Sequence, residues 1–212
     1  MPSSPTHLYI PINKCGNTSM VELFSKFNHV VVPHNKGIKN NSNLKIIKSS
    51  PRWKKLKKFT VVRDSIDRFI SAINMIWRDR KVWIERGNII TGDTKMIDNI
   101  LKIILNDNQR YELNTDFNQF IKRHTLPLTH PHYCLLDNKG KLNINYWIFL
   151  SDLKDQMKRE KFLKITNIPI NTKIKHVNKC TQKRFNRNDL TPDQLSKLKV
   201  YYVKDYEIFP IG

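Results

Sequence analysis

Twice in this chain a short apolar run passes through a few polar residues straight into a helical pattern, and that arrangement limits the fold more than any other feature. In "LYIPINKCGNTSMVELF" the run Leu8 to Ile12 has the length and composition of a buried strand. Ser19, followed three residues later by Glu22, forms a capping box that opens a helix on Met20, Val21, Leu23, Phe24 and Phe27. In "FTVVRDSIDRFISAI" the β-branched run Phe59 to Val62 leads into Arg63 and Asp64. A long helix from Ser65 follows, with Ile66, Phe69, Ile70, Ile73, Ile76 and Trp77 at helical spacing. Strands that alternate with helices pair in parallel, and both faces of such a sheet are covered.

The remaining pattern agrees. "HVVVP" (His29 to Pro33) reads as a second short strand, "KII" (Lys45 to Ile47) as another, and "NINYWIFL" (Asn143 to Leu150) as the best late strand. Helices are predicted over Lys95 to Leu105, Thr115 to Arg123 and Lys154 to Phe162. Thr191-Pro192-Asp193-Gln194 supplies an N-cap, a first-turn proline and a capping-box glutamine, opening a helix that carries Leu195, Leu198, Tyr202 and Tyr206. With 212 residues and no internal repeat or linker, the chain is expected to form a single domain, 1–212, of the α/β class: a central, mainly parallel sheet flanked by helices.

The formal net charge is +20 and the pI is near 10.0, so the protein attracts anions. Nucleic acid, nucleotides and sulfated or carboxylated glycans all fit, and charge does not choose among them. Cys15, Cys134 and Cys180 form no CxxC pair, which argues against a disulfide scaffold and against a zinc ribbon. No run approaches the ~18 apolar residues of a membrane span, and "MPSSPTHLYIPI" lacks the features of a signal peptide. The expectation is a soluble, cytoplasmic protein; a Golgi-lumenal location would require that an anchor has been removed. Sequons stand at Asn17-Thr18-Ser19 and Asn40-Asn41-Ser42, and a glycan on the first would block the loop it lies in.

Both strand-to-helix junctions point to anion chemistry. A glycine-containing loop that ends at a helix N-terminus gathers backbone N–H groups at one spot, where the helix dipole adds positive potential. Lys14 would be the point charge there; the alternative is an ordinary βα turn with a solvated lysine. Arg63 stands at the corresponding end of its own strand, and open α/β sheets bind ligands beyond the carboxyl ends of their strands. Two cationic strand ends suit a ligand with two anionic groups. Ser71, off the apolar stripe and three residues after Arg68, could share an oxyanion with Arg63; alternatively, Arg68 and Ser71 are simply the solvated face.

Taken together, these residues resemble the sulfotransferases that use 3′-phosphoadenosine 5′-phosphosulfate (PAPS), most closely the Golgi-type branch acting on carbohydrates. The family's P-K-x-G-x-T-S loop is similar to Asn13-Lys14-Cys15-Gly16-Asn17-Thr18-Ser19, with Asn13 where proline is usual. Its R-D-P-x-x-R-x-x-S element resembles Arg63-Asp64-Ser65-Ile66-Asp67-Arg68-Phe69-Ile70-Ser71, with Ser65 where proline is usual. "HVNKCTQKRFNRNDLTPDQLSKLKVYYVKDYEIF" looks like the closing segment, a loop of Asn, Lys and Ser/Thr followed by Tyr-x-x-Asp-Tyr-x-x-Phe. Ser151-Asp152-Leu153 is a looser match to a Glu-Asn-Leu-like turn, and the middle, Arg78 to Arg123, matches nothing in the family's pattern.

The resemblance implies a P-loop NTPase-like sulfotransferase fold, PAPS as co-substrate and no metal. Lys14, Cys15, Gly16, Asn17, Thr18 and Ser19 would hold the 5′-phosphosulfate, with Lys14 also catalytic; Arg63 and Ser71, with Lys179 and Thr181 of the closing loop, would complete nucleotide binding. The acceptor would be a hydroxyl, expected on an anionic glycan, and no specific nucleic acid is implied. For the catalytic base the candidates are His34 and His130, then His132 and Glu85. "HPHYC" would put His130, His132 and Cys134 on one face of an extended chain, a weak zinc alternative. Two other classes stay open: a P-loop kinase, although no lysine precedes Thr18 in the Walker manner, and a basic nucleic-acid binder using Arg52, Trp53 and Lys54 of "RWKKLKK".

Overall fold

The computed structural model describes residues 6–27, 30–31, 51, 55–85, 93–105, 115–174 and 184–211. In chain order the elements are β1 (His7–Tyr9), α1 (Asn17–Ser25), β2 (Val30–Val31), β3 (Lys57–Val62), α2 (Ser65–Arg78), α3 (Arg80–Glu85), α4 (Asp93–Leu105), α5 (Thr115–Thr125), β4 (Tyr146–Phe149), α6 (Gln156–Ile165), α7 (Pro192–Tyr201) and α8 (Val203–Ile208). The expected strand Lys45 to Ile47, the second sequon, and Arg52, Trp53 and Lys54 lie outside the described residues. The chain divides into two compact units, one formed by Met1–Arg63 with Thr129–Lys179, the other by Asp64–Leu128 with Cys180–Gly212.

The first unit holds the sheet. Its strands run in the order β2-β1-β3-β4, and every pairing is parallel, as the alternation of strands and helices requires. Register follows burial: Tyr9 lies opposite Phe59, and Phe59 opposite Tyr146, so one face of the sheet is aromatic. Phe24 of α1 and Phe162 of α6 close over that face, with ring centroids 4.7 and 6.0 Å from Phe59. Each is fully buried, which contributes ~1.5–3 kcal/mol apiece. On the other face the central strand carries Thr60, whose hydroxyl donates to the Ile10 carbonyl at 2.7 Å. That bond ties β3 to β1 where the backbone ladder passes from strand to loop.

The second unit is helical. Ile66, Phe69, Ile70, Ile73 and Ile76 form the buried stripe of α2 at the spacing expected, packed with Met96, Ile97, Ile100 and Ile104 of α4. Arg68 departs from the solvated reading: it is fully buried, donates through Nη2 to the Leu126 carbonyl and lies 5.8 Å from the Tyr202 ring centroid. A guanidinium there meets the carbonyl end of α5, where a cation is favoured. The capping box at Thr191 and Gln194 forms as expected. The helix it opens stops at Tyr201, however, and the chain turns at Tyr202 (φ −103°, ψ 13°) before α8.

Candidate functional site

Between β1 and α1 the chain makes a tight polar turn whose backbone is unusual at two positions. Lys14 (φ 66°) and Gly16 (φ 75°) both occupy the left-handed region, on either side of the buried Cys15. Left-handed residues in a turn give the geometry of backbone anion-binding concavities, although here the Cys15 N–H is donated to the Ile12 carbonyl at 3.2 Å. Gly16 is the N-cap of α1, so the cap residue itself offers no side-chain acceptor. The first intrahelical bond runs from the Met20 N–H to the Gly16 carbonyl at 3.1 Å. The amides of Asn17, Thr18 and Ser19 therefore belong to the first turn, which has no intrahelical acceptors and carries the positive end of the dipole. The Ser19–Glu22 capping box does not form: Ser19 is buried inside α1, because glycine reaches the left-handed cap conformation at residue 16 without a Cβ penalty.

Gly16 is also fixed by space. A Cβ there would lie 2.9 Å from Leu150 Cδ1, just past the end of β4. Asn17 braces the same turn from below. Its Oδ1 accepts the Ile12 N–H at 2.9 Å and the Tyr9 hydroxyl at 3.1 Å, bridging the strand end to the helix start. Burial, with the Cys15 thiol beside it, pushes the Tyr9 phenol well above its ordinary pKa, so it stays a donor. The Asn17 Nδ2 is buried and has no hydrogen-bond partner among the described residues, so this sequon nitrogen offers no room for a glycan.

Arg63 follows the last residue of β3. Because Tyr9 pairs with Phe59, Lys14 and Arg63 sit five and four residues beyond paired positions on neighbouring parallel strands, past the same carboxyl edge. Adjacent strands are ~4.8 Å apart. In the order β2-β1-β3-β4 the connection after β1 leads to one side of the sheet and that after β3 to the other, so the edge between them is the topological switch point. The Arg63 side chain is half-buried and makes no hydrogen bond or ion pair among the described residues.

The helix after Arg63 is built differently from α1. Asp64 is its N-cap, with Oδ1 accepting the Asp67 N–H at 2.8 Å. A carboxylate already occupies this N-terminus, so the second junction does not repeat the amide-lined logic expected for it; what it offers an anion is side-chain charge. Ser71 is half-buried on α2, and its hydroxyl makes no hydrogen bond among the described residues.

His34, Lys179 and Thr181 lie outside the described residues. "HPHYC" is a 3₁₀ turn over Pro131–Tyr133 rather than an extended segment. His130 caps it, Nδ1 accepting the His132 N–H at 3.1 Å, and Cys134 is left-handed with its thiol donating to the Pro131 carbonyl. The three therefore do not share a face, and among the described residues no group of three His, Cys, Asp or Glu is placed to hold a metal. Glu85 is exposed at the end of α3. Leu150 and Tyr9 frame the loop without being motif positions, and Asp64 stands in the motif with no role expected of it there. For Tyr9, its place five residues before Lys14 on an apolar strand offered only a core signal.

A parallel sheet with a glycine-containing lysine loop and an arginine strand end at its switch point has the arrangement in which open α/β proteins take their ligands. The sequence model of the sulfotransferase family matches residues 5–210, nearly the whole chain, and the protein belongs to that family. No curated protein and no solved structure matches it. No helix among the described residues is long and apolar enough to cross a membrane.

Proposed function

We propose that this sulfotransferase moves the sulfuryl group of PAPS to a hydroxyl of an anionic carbohydrate, as the Golgi-type branch does. The observation that carries the reading is the placement of the Lys14 loop and Arg63 at adjacent strand ends on either side of the switch point. A ligand with a phosphosulfate at one end and a phosphate at the other matches two cationic strand ends; a singly anionic ligand would leave one of them without a role. The turn suits the 5′ group, since a Cβ at Gly16 would fill the space that lets Leu150 approach the loop backbone.

In this reading backbone amides of the Lys14–Ser19 loop, other than the Cys15 N–H that bonds the Ile12 carbonyl, and the Thr18 hydroxyl hold the phosphosulfate. The acceptor oxygen bonds to sulfur as the bond from sulfur to the bridging oxygen breaks. Lys14 neutralises the charge that grows on that oxygen, and the acceptor's proton goes to a base, with His34 and His130 as candidates. Arg63 takes the 3′-phosphate through charge-assisted bonds, and the motif assigns Ser71, Lys179 and Thr181 to the same nucleotide by sequence. The net charge of +20 favours an acidic glycan as acceptor.

Calorimetry with adenosine 3′,5′-bisphosphate, with and without chelator, tests the donor half. Metal-independent binding tighter than that of ATP is expected; a requirement for Mg²⁺ or a preference for ATP would overturn it. Transfer of labelled sulfate from PAPS to a panel of glycans and small hydroxyl compounds tests the acceptor half.

A further inference from the structure

We propose that Asp205 and Tyr206, on the short C-terminal helix α8, are positioning residues for the nucleotide site, fixing the N-terminal turn of α2 and with it the residue peptide-bonded to that turn, Arg63. The inference rests on the reading of Arg63 as the 3′-phosphate ligand.

The two residues that follow Arg63 are held by two consecutive residues from the far end of the sequence. Ser65, the first residue of α2, donates its hydroxyl to Asp205 Oδ2 at 2.6 Å, and the same oxygen accepts the Leu128 N–H at 2.8 Å. Asp64 Oδ2 accepts the Tyr206 hydroxyl at 3.2 Å, while its Oδ1 faces Arg187 Nη1 at 3.3 Å besides capping Asp67. Capping needs only the last of these bonds. The rest define where the cap sits and which way it turns.

Asp205 is 1% exposed, and a buried carboxylate is costly unless its oxygens are bonded. Here it is bonded to the first hydroxyl of α2 and to the backbone after α5. Burial, together with Asp64, pushes the Tyr206 phenol up, so it remains a donor at any working pH. The closing pattern Tyr-x-x-Asp-Tyr-x-x-Phe thus acquires a division of labour. Tyr202, whose hydroxyl bonds to the Thr125 carbonyl at 2.7 Å, and the buried Phe209 anchor the segment. Asp205 meets Ser65 as well as the Leu128 N–H, and the Tyr206 hydroxyl meets Asp64. A side chain that must meet a phosphate bidentately has to be held within ~0.5 Å, and its backbone neighbours are where such control is exerted.

The test compares adenosine 3′,5′-bisphosphate with adenosine 5′-monophosphate by calorimetry for the wild type, Tyr206→Phe and Asp205→Asn, with melting temperatures recorded. Tyr206→Phe removes one hydroxyl and leaves the ring. Its bisphosphate affinity should fall about threefold to tenfold, part of the worth of one charge-assisted bond, while monophosphate affinity moves less than about twofold. Asp205→Asn should act in the same direction. If Tyr206→Phe keeps the wild-type ratio of the two affinities, whatever its melting temperature, the positioning role is wrong and the nucleotide reading stands. A wild type that binds both nucleotides alike overturns the nucleotide reading, and this inference with it.

Discussion

The two strand-to-helix junctions look alike in sequence and are built on opposite principles. At the start of α1 the cap is a glycine, which carries no side-chain acceptor, and Lys14 and Gly16 are left-handed. At the start of α2 the cap is Asp64, and its carboxylate is itself bonded by Tyr206 and faced by Arg187. A helix N-terminus favours an anion in either case. In α1 the cap residue supplies no carboxylate to meet that preference; in α2 an internal carboxylate takes it up. Under the proposed function, recognition at the first junction is a matter of backbone shape, and at the second a matter of one positioned guanidinium. The same β–α pattern can thus end in a backbone cradle or in a braced side chain, and the identity of the cap residue decides which.

The largest effect should come from the first junction's charge. Lys14→Ala is expected to lower turnover about 10²–10³-fold while bisphosphate affinity changes little, because its charge matters most as the leaving oxygen becomes anionic. Steady-state transfer assays beside calorimetry separate the two quantities, and equal losses in both would reduce the loop to a plain binding turn. Next in size, Arg63→Ala should weaken bisphosphate binding by ~1.5–3 kcal/mol, about 10–150-fold. Unchanged affinity would remove the contrast between the junctions altogether.

A smaller loss tests backbone shape directly. Gly16→Ala forces a non-glycine residue to a φ of 75°, at ~1–2 kcal/mol, and pushes on Leu150. Combining it with Leu150→Ala should relieve the contact but not the backbone strain, so the double variant recovers only part of the binding lost; complete recovery would mean that the left-handed conformation is incidental. Least visible is the alkaline limb of stability. The folded-state pKa values of Tyr9 and Tyr206 are raised above the ordinary tyrosine value of 10.0, so their contribution is full below that value and is lost as pH rises toward the folded values. Denaturation by urea across this range should show stability falling above pH ~10, with a shallower fall in Tyr206→Phe.

Local pattern was enough to find the strands and helices that frame the site, since the apolar periodicity of α2 and the β-branched run of β3 are properties of neighbouring residues. It failed where a residue's partner is far away in the chain. Arg68 falls at a helix position that reads as solvent-facing, and its burial involves the carbonyl of Leu126 and the ring of Tyr202, both far away in the chain. Ser19 and Glu22 have the spacing of a capping box, yet the turn closes earlier because Asn17 bonds back to Ile12 and Tyr9. "HPHYC" alternates as a strand would, and Pro131 with a left-handed Cys134 folds it into a turn.

By itself, the sequence determined the α/β class, the parallel pairing that strand-helix alternation imposes, and the placing of Lys14 and Arg63 just beyond strand ends, because each of these follows from periodicity and from what a short connection can reach. The strand order was decided only in three dimensions. Pairing β1 with β3 joins segments some fifty residues apart, and nothing in either segment names its partner; packing of Tyr9, Phe59, Phe24 and Phe162 into one aromatic face selects it. That selection brings the two cationic strand ends side by side at the switch point, and long-range burial likewise holds Asp64 and Ser65 against Tyr206 and Asp205.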